Sequence, residues 1–241
     1  MSMSQPAFTQ QELKQAAAVY AVDTFIRSGM IIGLGSGSTA ELFIQELGRR
    51  VEAGTLTGLV TVSTSEKSSD LARSFGMVVK ELADVETIDV TVDGADEIET
   101  ANFGLTKGRG GALLREKLVA TASKLQVIIA DESKLVNQLG EKMPIPVEVI
   151  PFGWPHTAKR LKELGSEPAL RLINGQPYLT DGQNYVLDCR FPPLNDPRGM
   201  ANAIKGTVGV VEHGLFIDIA GRVVIAGNNG VYELEKTGQS R

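Results

Sequence analysis

A single cysteine, Cys189, excludes an internal disulfide. Only two histidines are present, His156 and His213, far apart in the chain, so no Cys/His metal cluster can be read from the sequence. Both are expected in structural or surface roles. No apolar run approaches the ~20 residues of a membrane-spanning helix, "LQVIIA" being among the longest. No basic run stands out either. With a formal net charge of −5 there is no electrostatic footprint for nucleic acid. Internal repeats and low-complexity stretches are missing. The opening "MSMSQPAFTQ" has neither the charged nor the apolar region of a secretory signal, so a short loose tail and a cytoplasmic location are expected.

What is present is an ordinary globular composition, 241 residues with 42% hydrophobic and 22% charged, enough for a sizeable core. From Thr9 to Gly140 helical and strand patterns alternate. The first helix is expected to face inward with Leu13, Ala17, Tyr20 and Thr24. "MIIGLG", "GLVTVSTS", "TIDVTVDGADE" and "LQVIIADES" read as strands separated by helices. Such alternation implies an α/β fold, a mainly parallel Rossmann-like sheet with helices on both faces. Near Pro144 the pattern changes to strand–helix–strand–strand–helix–strand, the split βαβ order of a ferredoxin-like α+β domain. The expected division is an α/β catalytic domain over residues 1–142, completed by 213–241, and a small domain over 143–212. "LFIDIA" and "RVVIAG" are the strands expected to return.

Ligands of parallel sheets bind beyond the carboxyl ends of the strands, and the chemically suggestive loops follow Leu34, Val92 and Ala130. In the first, "GSGSTA", hydroxyls of Ser36, Ser38 and Thr39 surround Gly37 ahead of a helix. Hydroxyl donors beside helix N-terminal amides suit a phosphate monoester. A dinucleotide site would need an acid about 20 residues on; the next strand instead ends in Ser63, Thr64 and Ser65. A plain strand-to-helix turn with a Ser/Thr N-cap is the structural alternative for this loop taken alone.

In the second loop Asp93 ends a strand and Asp96 follows in the same turn. An Asx-turn is the bland explanation. The alternatives are contacts to sugar hydroxyls, proton shuttling, or a divalent cation on Asp93, Asp96 and Glu97. "TKGRGGALLREK" is the most informative stretch. Gly108, Gly110 and Gly111 leave the backbone open, Lys107 enters as a compact cation, and Glu116 lies inside the next helix with Leu113, Leu114 and Leu118 as packing residues. A solvated Glu is the commoner case. Three such loops on one sheet edge shift the balance. Lys134 follows the next strand, and Lys14 on the first helix is a further candidate phosphate contact, although lone lysines are more often surface groups.

Together "GLGSGSTA", "DGADEI", "KGRGGALLREK" and "ADESK", in this order and spacing, resemble ribose-5-phosphate isomerases of type A; "PVEVIPF" and "GLF" fit too. The resemblance runs from Lys14 to Gly227. It implies interconversion of ribose 5-phosphate and ribulose 5-phosphate without metal or organic cofactor. It also implies a homodimer or homotetramer, while the charge and the short apolar runs lead to the expectation of no nucleic-acid or membrane partner. Phosphate and sugar contacts would fall on Ser36, Gly37, Ser38, Thr39, Asp93, Gly94, Ala95, Asp96, Lys107, Gly108, Arg109, Gly110 and Lys134, and the catalytic base on Glu116. In that chemistry Lys107 is expected to stabilise the developing oxyanion, and Asp93 to move protons between the sugar oxygens and assist ring opening. Arg109 and Leu114 depart from the familiar glycine and threonine. The competing readings are a sugar-phosphate sensor, an NAD-linked dehydrogenase and an acyl-CoA transferase.

Overall fold

The computed structural model describes residues 8–236, so the expected tail lies outside the described residues as far as Ala7. Helix α1, Gln10–Phe25, starts at a capping box. Thr9 Oγ1 accepts from Glu12 N, and Glu12 Oε2 accepts from Thr9 N. Its fully buried face is Ala17, Ala18, Ala21 and Val22, turned about one residue from the expected stripe. Leu13, Tyr20 and Phe25 pack at its margins. The alanines let the helix lie close against the sheet, which larger side chains would prevent.

The main sheet has seven strands in the order Gly230–Glu233, Arg222–Gly227, Ser123–Asp131, Ile88–Asp93, Ile31–Leu34, Val60–Ser63 and Val78–Val79. All neighbours are parallel except the closing hairpin. Helices α2 (Ser38–Glu52), α3 (Glu66–Ser74) and α4 (Leu113–Thr121) supply connections. Side chains alternate between two apolar layers. Val127 and Ile129 join Leu34, Val92 and Phe43 on one face, while Ile128 and Ala130 join Ile98, Leu105 and Phe216 on the other. "RVVIAG" does return to this sheet; "LFIDIA" instead contributes Leu215–Phe216, which pairs with Leu105–Thr106 in a four-stranded sheet with Glu97–Glu99 and Leu135–Val136.

A third sheet is antiparallel, in the order Glu167–Leu170, Tyr185–Arg190, Ile145–Val149 and Val210–His213. Helices α5 (Trp154–Glu163) and α6 (Pro197–Lys205) belong to it. Its core contains Val147, Leu161, Leu187, Ile204 and Cys189, whose thiol burial pushes up to about 12. A short hairpin, Leu172–Ile173 with Gln176–Pro177, projects from this part. Near the seam, buried Glu97 accepts hydrogen bonds from the amides of Gly140, Lys142 and Met143 and from Thr106 Oγ1. Its carboxylate is thereby committed to the backbone, which removes it as a cation ligand beside Asp93 and Asp96. Among the described residues, no helix is long and apolar enough to cross a membrane.

Candidate active site

The parallel register brings the three suspicious loops to one edge. Leu34 stands beside Val92, and Asp93 beside Ile128. At this edge Gly35 N donates to Val92 O at 3.0 Å. A Cβ at Gly35 would stand 2.2 Å from Asp93 Oδ1, so a side chain here would drive the two strand ends apart. Gly37 takes φ 89 and ψ 175, a conformation open essentially to glycine alone. Helix α2 begins there without a side-chain cap. Its first intrahelical bond is Glu41 N to Gly37 O, so the amides of Ser38, Thr39 and Ala40 have no helical carbonyl to reach. Helix α3 differs, since Ser65 Oγ caps it by accepting from Ser68 N. Ser36 is tied down, its Oγ 2.6 Å from Thr64 Oγ1 and 2.8 Å from Ser65 Oγ. Lys14 Nζ donates to Ser38 Oγ at 3.1 Å, adding a cation to the open helix end.

Lys107 and its partners form the buried centre. The Lys107 side chain is 3% exposed, with Nζ 2.9 Å from Asp93 Oδ2 and 3.4 Å from Glu116 Oε1. It also donates to Gly94 O at 2.7 Å. Asp93 Oδ1 accepts from the amides of Ser36 and Gly94, at 3.1 and 2.7 Å. Glu116 is buried because it shares a helical face with Leu113, Val119 and Ala120, positions three and four residues away. Leu118, expected to pack, is 49% exposed on the opposite side. The neighbours of Glu116 are engaged elsewhere, Arg115 with Glu66 and Asp181, Lys117 with Glu212. Glu116 Oε2 is buried without a hydrogen-bond partner.

Burial pushes the Glu116 carboxyl up to about 8, with Asp93 and Asp96 adding to the rise and Lys107 opposing it. Burial also raises Asp96, against Lys107 and the Arg109 amide. Burial alone would lower Lys107, but Asp93 and Glu116 outweigh it and hold the ammonium above its ordinary value. A carboxyl near neutrality beside a permanent cation is suited to taking and returning a proton.

A cavity of about 380 Å³ opens over this centre. Its wall contains Lys14, Ser36, Gly37, Ser38, Thr39, Gly94, Ala95, Asp96, Lys107, Gly108, Arg109, Gly110, Glu116 and Lys134. Asp93 is absent from the wall; it lies beneath, 1% exposed, against Lys107. Arg109 takes part through its backbone, its amide donating to Asp96 Oδ2 at 3.0 Å. Gln10, also in the wall, escaped the sequence reading, as did Arg171 and Tyr178, which reach the glycine loop from the antiparallel part. Glutamine at a helix start carries no signal of its own, and nothing local marks the other two. Among the described residues, no group of three or more His, Cys, Asp or Glu could hold a metal ion.

A parallel sheet that sets an uncapped helix N-terminus across one cavity from a buried lysine–carboxylate cluster has the layout of an enzyme suited to anionic substrates and proton transfer. The family model of ribose 5-phosphate isomerase A (phosphoriboisomerase A) matches residues 60–230. The chain belongs to that family. A ribose-5-phosphate isomerase A of Synechococcus sp. (strain JA-3-3Ab) is 48% identical over 227 residues, 94% of this chain and 98% of that protein. One from Deinococcus radiodurans is 47% identical over 226 residues, 94% and 99% of the two chains. A solved D-ribose-5-phosphate isomerase in complex with phospho-erythronic acid superposes with a TM-score of 0.91 at 38% identity, covering 95% of this chain and all of that one.

Proposed function

We propose that this chain is an aldose–ketose isomerase that interconverts D-ribose 5-phosphate and D-ribulose 5-phosphate through an enediolate. One observation carries the reading. Glu116, with an unpartnered buried oxygen, meets Lys107 on the wall of a cavity whose other side is the open α2 terminus. The phosphate docks on the amides and hydroxyls from Gly37 to Thr39, with Lys14 and Lys134 nearby. Glu116 then removes the proton from C2 of the open-chain aldose. The C–H electron pair forms the C1–C2 double bond, and negative charge gathers on O1, where the Lys107 ammonium stabilises it. A proton passes from the C2 hydroxyl to O1, and the protonated Glu116 returns its own to C1. One carbon is oxidised as its neighbour is reduced, so the step balances within the substrate and calls for no external electron acceptor. Asp93 acts through Lys107, and Asp96 on the wall receives hydroxyls.

The division into residues 1–142 with 213–241 and a smaller unit over 143–212 belongs to the same proposal. So do a cytoplasmic location and a homodimer or homotetramer. Association is supported by Phe152, Val208 and Ile150, exposed together around the bond from Ile150 N to Gly209 O. A sensor would need the phosphate end but gains nothing from a buried Lys107–Glu116 pair. A dehydrogenase needs an acid where Thr64 and Ser65 are bonded to Ser36.

Purified protein given ribose 5-phosphate alone is expected to produce ketose; none forming ends the proposal. The pH profile adds a second check. Because kcat/KM reports the free enzyme and Glu116 must be ionised, activity should climb with pH well above the ordinary carboxylate range before levelling. A profile already flat from about pH 5.5 upward would remove Glu116 as the base.

A further inference from the structure

The glycine loop is held from outside the parallel sheet. Arg171 Nη1 donates to Gly108 O at 3.1 Å and to Arg109 O at 2.9 Å. Tyr178 Oη donates to Gly110 O at 3.2 Å. These two residues flank the projecting hairpin and are joined at its base, where Tyr178 N donates to Arg171 O at 2.9 Å. Arg171 is itself oriented by a fork onto Asp188, Nε to Oδ2 at 2.9 Å and Nη2 to Oδ1. Asp188 lies on the strand Tyr185–Arg190, which anchors the hairpin to the antiparallel sheet. A few residues on, Asp181 Oδ2 accepts from Glu66 N at 3.2 Å and pairs with Arg115 at 3.3 Å. Arg115 adjoins Glu116 on α4. A Cβ at Gly111 would stand 2.3 Å from Tyr178 Oη, so the base of the hairpin and the glycine loop are in close contact.

The peptide unit turns this grip into a statement about the cavity. In a trans peptide the C=O and the following N–H point in opposite directions. Carbonyls of Gly108 and Arg109 drawn to Arg171 therefore send the amides of Arg109 and Gly110 the other way. The Arg109 amide is found on Asp96 Oδ2, a wall residue. We infer that Arg171, oriented by Asp188, is a positioning residue for the reaction, fixing the Gly108–Gly110 backbone so that the Gly110 amide, Asp96 and Lys107 meet the reacting end of the substrate in one geometry. The inference rests on the isomerase reading for its kinetic consequence, while the anchoring of the loop can be measured without it. Arg171 acts through the loop rather than on the sugar. The phosphate end, built on Lys14 and the α2 terminus, is independent of it.

The test uses the full-length protein, with Arg171→Met and Arg171→Lys. Displacing a positioned group by about 1 Å costs on the order of 100-fold. Both variants are therefore expected to lose roughly 10- to 100-fold in kcat for ribose 5-phosphate. The inhibition constant of inorganic phosphate should stay within about twofold of the parent's, because that end is untouched. Lysine should not rescue, since a point charge cannot grip two carbonyls and a carboxylate fork together. Amide hydrogen exchange over residues 108–111 should quicken in both. Parent kcat in Arg171→Met, full rescue by Arg171→Lys, or phosphate inhibition weakening in step with kcat would each overturn the inference. Should Arg171→Met fail to fold, Tyr178→Phe makes the same test at Gly110 by deleting one hydroxyl. Faster exchange there supports the anchoring, and unchanged exchange refutes it. A parent protein that makes no ketose would end the isomerase reading, and the exchange data would still decide whether Arg171 anchors the loop.

Discussion

Glu116→Gln should fold, bind ribose 5-phosphate and turn it over about 10²- to 10⁴-fold more slowly, the range that a positioned general base commands. The amide keeps the shape of the side chain and its reach toward Lys107, and it loses only the basic oxygen. Loss in kcat with affinity retained is the expected pattern; a variant with parent turnover would remove the base from the mechanism. A second effect has the opposite sign. Burial raises the Glu116 pKa in the folded state, so ionising this group opposes folding as pH rises from the unfolded value of a glutamate toward about 8. The parent is therefore relatively most stable below that window and loses this contribution across it. Glutamine has no such loss. Melting temperatures of parent and variant should diverge in the variant's favour as pH is raised from 5 to about 8, the usual exchange between activity and stability at a proton-transfer centre.

Lys107→Met is expected to be worse in both respects. The ammonium is the only side-chain cation within 4.0 Å of either Asp93 or Glu116 among the described residues. Methionine keeps much of the stem but leaves two buried carboxyls facing each other. Removing one partner of such a cluster typically costs about 3–5 kcal/mol, to be read from urea denaturation at neutral pH. Loss of oxyanion stabilisation costs a further factor of about 10²–10³ in rate. Because Lys107 is what opposes the rise in the Glu116 pKa, the acid limb of the activity profile should also move to higher pH. An unchanged limb, with stability intact, would show that the ammonium does not govern the base.

The parts of the site legible in the sequence are those whose partners are close along the chain or whose position follows from strand ends. Gly37 to Thr39 could be placed because a strand, a glycine and a helix follow one another, and Asp93 because it closes an apolar strand. Glu116 was harder. Its burial depends on sharing a face with Leu113, Val119 and Ala120, whereas treating all three nearby leucines as packing residues puts the exposed Leu118 on the wrong side. That Asp93 sits beneath Lys107 rather than on the wall follows from backbone amides closing over its carboxylate, which spacing cannot show. Gln10, Arg171 and Tyr178 reach the site only through tertiary contact, the latter two across about sixty residues of chain. The parallel alternation was readable throughout. The destination of "LFIDIA" was not, since a two-residue strand leaves almost no periodic signal.

The place of Arg222–Gly227 beside Ser123–Asp131 bears on how the molecule is made. Val224 pairs with Ile129, yet the whole antiparallel part is synthesised between them. Until that late strand arrives, Val127, Ile128 and Ile129 occupy an open edge able to stick to another nascent chain. A substitution in residues 143–212 that merely slows folding there prolongs this interval. It would reduce the yield of soluble protein from a cell even where the finished molecule is no less stable.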